Sequence, residues 1–119
     1  MDRTFLIVAA FSGFTGVTLG AFGAHGLRDR ISPDLLAVYQ TGVQYHLIHA
    51  VALLAVAMAP RAASRFFPTA GWLFVLGIVL FSGSLYTMAV TGMTRLGMVT
   101  PLGGLAFLAG WALLAIAAF

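Results

Sequence analysis

The chain alternates long apolar stretches with short polar segments. Apolar stretches run over residues 4–24, 35–60, 66–94 and 96–119 and contain few ionisable side chains. A helix of about 20 residues crosses a hydrocarbon core of roughly 30 Å, so each stretch is long enough to span a membrane. Only helices or closed barrels satisfy their backbone in lipid, and the short alternating segments of a barrel do not occur here. The pattern predicts an all-α fold, an integral membrane four-helix bundle.

We expect residues 1–119 to form a single polytopic membrane domain. The spans are predicted at about residues 4–24, 40–59, 70–91 and 98–118. The second helix is expected to begin earlier, near Pro33, because Ser32 can cap it and Asp34 places an acid in its first turn. Its first turns would therefore lie at or beyond the membrane surface. Arg3 and the following apolar run also fit a signal peptide, but the run is longer than the usual ~7–15 residues, so we expect helix 1 to be retained.

Regularly spaced glycines favour close contact between the helices. In the first helix, four glycines follow one another at intervals of three, four and three residues and therefore share one face. Small residues at such a spacing let a neighbouring backbone approach closely. We predict six glycines as helix-packing residues: Gly13, Gly16, Gly20, Gly23, Gly103 and Gly110. A backbone-lined path for a ligand or an ion is the alternative.

Ten polar side chains are predicted to gather near one membrane interface. Four successive spans place the first and third connections on the same side of the membrane. The candidates on that side are His25, Gln40, Gln44, Tyr45, His46, His49, Ser84, Tyr86, Arg95 and Thr100. Polar residues inside a membrane are costly and usually face the interior of a bundle or a water-filled cavity. The sequence therefore predicts a polar half-pocket, with Gln40 and Gln44 on the face of helix 2 opposite the histidines.

The histidines of helix 2 leave three interpretations open. His46 and His49 could simply hold neighbouring helices together, in a structural or accessory membrane subunit whose polar and glycine residues only mediate packing. They could instead belong to a site that binds or passes a small solute or a proton, since histidine titrates near neutral pH. Metal or haem binding is a weaker alternative, because a pair at i and i+3 without a nearby carboxylate is a poor metal pattern. We predict no cofactor, metal site or catalytic residue, since no acid lies within the spans to orient a serine–histidine pair.

Composition and charge narrow the class of protein further. Hydrophobic residues make up 61% of the chain and charged residues 8%, with a mean hydropathy of +1.04, which is outside the range of soluble domains. The net charge of +3 comes from six arginines scattered among termini and loops, so we expect no nucleic-acid binding. The absence of cysteine excludes a disulfide framework and thiolate chemistry. Membrane lipids are the expected partners, and we also expect a homo-oligomer because four short helices alone enclose little volume.

Four segments of the sequence resemble a small membrane protein family known as domain of unknown function 423. They are GAFGAHGL (20–27), TGVQYHLIHAVALL (41–54), FSGSLY (81–86) and TPLGGLAFLAGW (100–111). The resemblance implies a multi-pass protein of the bacterial inner membrane, related to small eukaryotic transmembrane proteins and without an established activity. It implies no substrate and no particular protein partner.

The direction in which the chain crosses the membrane is weakly indicated by charge. Three arginines are expected on the terminal side and three on the polar side: Arg3, Arg61 and Arg65, against Arg28, Arg30 and Arg95. This equal division gives no preference under the positive-inside rule. The N-terminal amine and the lack of acids in the second loop favour cytoplasmic termini.

Overall fold

Four long helices make up the computed structural model, which describes residues 1–60 and 62–119. They are α1 (Arg3–Leu27), α2 (Pro33–Met58), α3 (Phe66–Thr91) and α4 (Thr94–Ala117), and each is long and apolar enough to cross a membrane. The described ranges contain no strand. The predicted all-α membrane bundle is therefore confirmed. Arg61, which enters the expected charge balance, lies outside the described residues.

The helix ends follow local sequence signals. Asp2 caps α1, since its carboxylate accepts hydrogen bonds from two first-turn N–H groups at 2.9 and 3.3 Å. Ser32 caps α2 by accepting from the Leu35 N–H at 3.2 Å, and Pro33 occupies the first helical position. Gly92 ends α3 with a φ of 72°, in the left-handed region that favours glycine.

Two helices contain a π-helical turn that was not predicted. One forms the last turn of α1 at Gly23–Leu27, and the other lies within α3 at Ile78–Ser82. The start of α4 is a 3₁₀ turn over Thr94–Met98. π-turns are rare in proteins overall, and those that do occur are often found at functional sites. The π-turn of α3 ends at Ser82, whose hydroxyl donates to the Gly42 carbonyl of α2 at 2.7 Å, so the widened turn is fastened to the neighbouring helix.

The helices form an open row in the order α1, α2, α3, α4. Helix α1 packs mainly on α2, and α3 lies between α2 and α4. The two outer helices, α1 and α4, share no extensive contact in the part of the chain that the structure describes. The molecule is correspondingly flat, with principal extents of 49 × 26 × 17 Å. Because α2 and α3 occupy the centre, they are the most buried helices, and both outer helices present broad apolar surfaces to the membrane.

Five of the six glycines predicted for packing lie at contacts between helices: Gly16, Gly20, Gly23, Gly103 and Gly110. A Cβ atom added at any of them would lie no more than 3.1 Å from a side chain or backbone of another helix. Gly13 is different, because nothing lies within 4 Å of its added Cβ. It faces a shallow groove between α1 and α2 whose walls include Ala9 and Ala50. A Cβ at Gly13 would therefore meet no described residue of another helix.

Candidate functional site

The structure divides the ten predicted polar residues into two sets. Six take part in contacts between or within helices: Tyr45, His46, His49, Ser84, Tyr86 and Thr100. The other four are exposed and do not join them: His25, Gln40, Gln44 and Arg95. Gln40 and Gln44 stay apart because they lie on the opposite face of α2, as expected, and His25 lies on the outer side of the π-turn of α1. The ten residues are thus not gathered into one pocket.

His46 connects three helices through its two ring nitrogens. Nδ1 lies 2.8 Å from the Tyr86 hydroxyl of α3, and Nε2 lies 3.3 Å from the Thr15 hydroxyl of α1. The single Thr15 proton is directed to the carbonyl groups of Phe11 and Ser12, at 3.0 and 3.1 Å. The Thr15 oxygen therefore accepts from His46 Nε2–H, and in the neutral ring Nδ1 accepts from the Tyr86 hydroxyl. His46 thus uses both nitrogens.

The His49 side chain of α2 reaches across to α4. Trp111 Nε1–H donates to His49 Nε2 at 3.0 Å, and because the indole N–H can only donate, Nε2 carries no proton. The proton is on Nδ1, which donates to the Tyr45 carbonyl one turn earlier at 2.7 Å. The imidazole also stacks on the Phe107 ring with 3.6 Å between centroids. The position, tautomer and orientation of this ring are all set by its neighbours.

Further polar contacts join α3 to α4. The hydroxyls of Ser84 and Thr100 lie 2.6 Å apart, and Ser84 also approaches the Phe81 carbonyl at 2.9 Å. Tyr45, by contrast, contributes its ring, which lies 4.5 Å from the Phe81 ring between centroids. Tyr39, which was not predicted as a site residue, is buried against Gly23, and its hydroxyl donates to the Leu19 carbonyl of α1.

A cavity of about 180 Å³ lies between α1, α2 and α3, and we term it the Ser12 cavity. Its polar side is formed by Ser12 and Thr15 of α1 and by His46 of α2. The apolar remainder is formed by Val8, Phe11, Leu53, Val75, Ile78 and Val79. Ser12 is 7% exposed, and its Oγ is the one buried polar side-chain atom without a hydrogen-bond partner among the described residues. Ser12 thus brings an unused hydrogen-bonding group to the wall of the cavity, where neighbouring atoms cover its Oγ in this conformation.

Sequence reasoning placed His46 in a polar site but missed Ser12 and Thr15. A signal existed, because Ser12 is four residues before Gly16 and so shares the face of α1 that packs on α2. An isolated serine in an apolar helix usually bonds to its own backbone, which made it unremarkable in the sequence.

The surroundings of the histidines bear on the metal interpretation. No group of three His, Cys, Asp or Glu side chains clusters within residues 1–60 and 62–119. His46 and His49 also direct both ring nitrogens to partners within the chain. A metal ion or haem would have to displace one of these bonds.

Replacing Tyr86 by Phe tests the role of the His46 contact. The change removes the hydroxyl that donates to Nδ1 and leaves a buried acceptor unpaired. We expect a loss of stability of about 0.6–1.7 kcal/mol, the range for hydrogen bonds between membrane helices, in an unfolding titration in mixed micelles. Tyr45→Phe is the control, because Tyr45 contributes ring contacts and should change stability little. Equal losses of stability in both variants would contradict a stabilising hydrogen bond between Tyr86 and His46.

Four spanning helices whose buried polar groups bond to one another define a small multi-pass membrane protein. The model of the family described as "Protein of unknown function (DUF423)" matches residues 19–104. The chain belongs to this family, and the resemblance found in the sequence is confirmed.

Similar proteins are found in several bacteria. The UPF0382 membrane protein YwdK of Bacillus subtilis (strain 168) is 48% identical over 98% of this chain and 96% of its own length. The UPF0382 inner membrane protein YgdD of Escherichia coli (strain K12) is 45% identical over 98% of this chain and 90% of its own length. No solved structure matches the chain significantly. These relatives and the four candidate spans confirm a multi-pass protein of the bacterial cell membrane.

Proposed function

We propose that this protein binds a small molecule within the membrane, in the Ser12 cavity. The observation that carries the proposal is a cavity of about 180 Å³ whose wall includes Ser12, a serine with an unpartnered Oγ that neighbouring atoms cover. Leaving a buried hydroxyl unpaired costs about 1–3 kcal/mol. A bound molecule would recover this cost and fill the space once the Ser12 hydroxyl turns toward the cavity about the Cα–Cβ bond and pairs with it.

Binding is favoured over passage by the position of the opening. The lining residues Phe11 and Val79 are 69% and 62% exposed, so the cavity opens on the surface of the bundle between α1 and α3. This surface faces lipid when the helices span the membrane. Passage of a solute or a proton would need openings toward both aqueous sides. A molecule that enters and leaves through the bilayer fits the geometry better.

The second candidate function is that of a structural or accessory subunit. It is favoured by His46 and His49, whose ring nitrogens are all engaged by partners inside the chain. Such bonds hold helices together without any ligand. In this case the exposed faces of α1 and α4 would receive another membrane protein or a further copy of the chain, and a partner would co-purify in fixed proportion.

Closing the mouth of the cavity tests the proposal. Val79→Trp places a large side chain at the opening, where Val79 is 62% exposed and so has room outside the core. Val90→Trp is the matched control, because Val90 lies on the same helix, is 60% exposed and does not line the cavity. We expect native mass spectrometry of gently solubilised protein to show a bound small molecule in the wild type and in Val90→Trp, and none in Val79→Trp.

Two results would count against ligand binding. One is a wild-type protein that carries no small molecule after extraction in a mild detergent. The other is equal retention of the molecule in Val79→Trp and Val90→Trp, which would place it elsewhere on the protein. A stoichiometric protein partner without a bound small molecule would favour the accessory role.

A further inference from the structure

We infer that the ligand class of the Ser12 cavity is a neutral molecule with one six-membered ring and one hydroxyl group, as in phenols. The inference rests on the proposed function, since it specifies what the same cavity binds. Three properties of the cavity carry it: its size, the number of free hydrogen-bonding groups and the absence of charge.

The size of the cavity fits a single ring. Its volume is about 180 Å³, and an apolar protein cavity of about 150 Å³ holds benzene. A fused ring system or a long polar solute would exceed this space and project through the opening into the bilayer. A ring with one or two small substituents would fill it.

The hydrogen-bonding capacity of the wall fits one hydroxyl group. Thr15 and His46 already bond to each other and to partners in α1 and α3, so Ser12 supplies the free group. A serine hydroxyl donates one hydrogen bond and accepts others. The Ser12 Oγ is covered by its neighbours in this conformation and turns toward the cavity by rotation about the Cα–Cβ bond. A ligand hydroxyl is then complementary, because it can accept from Ser12 Oγ–H or donate to Oγ. No charged side chain lies among the described residues that line the cavity, so a charged ligand would be left without a counter-ion.

The remaining wall suits the ring of such a ligand. Phe11 and Leu53 contribute apolar surface, and an aromatic neighbour such as Phe11 favours edge-to-face contact with a ligand ring. The wall formed by Ile78 and Val79 belongs to the π-turn of α3, a kind of distortion that is frequent at functional sites. Since Phe11 and Val79 are exposed at the opening, a ring alcohol dissolved in the bilayer could enter directly.

The test compares two probes that differ in the hydroxyl group. The full chain in nanodiscs is titrated with 4-fluorophenol and with fluorobenzene, and binding is followed by ¹⁹F NMR against protein-free nanodiscs to correct for partitioning. We expect the wild type to bind 4-fluorophenol about tenfold more tightly, the ratio given by one hydrogen bond to a buried hydroxyl. Ser12→Ala should remove this preference and leave fluorobenzene binding unchanged. Ser12→Thr, which keeps a hydroxyl, should retain it.

Ser84→Ala is the matched control, because Ser84 is also a buried serine but its hydroxyl is engaged by Thr100 away from the cavity. It should keep the tenfold preference. Should Ser12→Ala fail to fold, Val79→Trp serves instead and should lose both probes.

The outcomes separate the inference from the proposed function. Equal binding of both probes to the wild type would overturn the phenol class and leave ligand binding intact. A preference that survives in Ser12→Ala, or one that is lost equally in Ser84→Ala, would also overturn the inference. Failure of the wild type to bind either probe, for example because acyl chains occupy the cavity, would overturn both the inference and the proposed function.

Discussion

Gly103→Ala is expected to destabilise the protein by about 1–3 kcal/mol, the range found when a well-packed core is overfilled. A Cβ at Gly103 would collide with the backbone of Phe81, including its amide nitrogen and Cα at the π-turn of α3. Backbone atoms cannot move aside as a flexible side chain can, so α3 and α4 would have to separate. The free energy of unfolding in mixed micelles measures the loss.

The next residue along the same helix provides the control. A Cβ at Gly104 would meet its nearest neighbour, the edge of the Phe81 ring, at 3.9 Å, which is an ordinary contact. Gly104→Ala should therefore be neutral or raise stability by up to about 1 kcal/mol through helix propensity. Similar losses for both variants would show that the α3–α4 contact is not set by the absence of a side chain at Gly103.

The four helices were predictable because hydropathy and span length depend on composition over many residues. The helix cap at Ser32 and the close helix contact at Gly103 could also be predicted from the local sequence. The π-turn at Ile78–Ser82 was not, because it depends on what α3 meets, including the Gly42 carbonyl that Ser82 reaches. The order of the helices in the row likewise depends on contacts that no single segment encodes.

The site was predictable only in part. His46 and His49 stood out because ionisable residues are rare in membrane spans. Their partners did not, since the Trp111 N–H becomes available to His49 only when α4 packs near α2, and Thr15 reaches His46 only when α1 does. The same reason explains why ten residues predicted near one interface are divided between buried contacts and exposed surface. Depth in the membrane follows from the sequence, whereas the direction of a side chain follows from packing.

His49→Ala should have the second large effect, a loss of about 2–5 kcal/mol, the range for truncating a large buried side chain. The change removes the stack on Phe107 and the bond from Trp111 and leaves a void between α2 and α4. His25→Ala is the matched control, because His25 is exposed on the π-turn of α1, and such surface changes usually stay within about 0.5 kcal/mol. Unfolding titrations of the two variants compare a buried and an exposed histidine in the same chain.

A double-mutant cycle of His49→Ala with Trp111→Phe separates the direct His49–Trp111 interaction, which combines the hydrogen bond with an edge-to-face ring contact, from the loss of the stack on Phe107. Because the indole N–H donates to His49 Nε2, the two changes should be coupled by about 0.6–1.7 kcal/mol. The ¹⁵N spectrum of the wild type should show His49 protonated on Nδ1, which donates to the Tyr45 carbonyl. Additive losses, or a proton on Nε2, would mean that His49 contacts α4 through ring stacking on Phe107 alone. The His49 imidazole would then be tolerated at this depth in the membrane without its hydrogen bond fixing the position of α4.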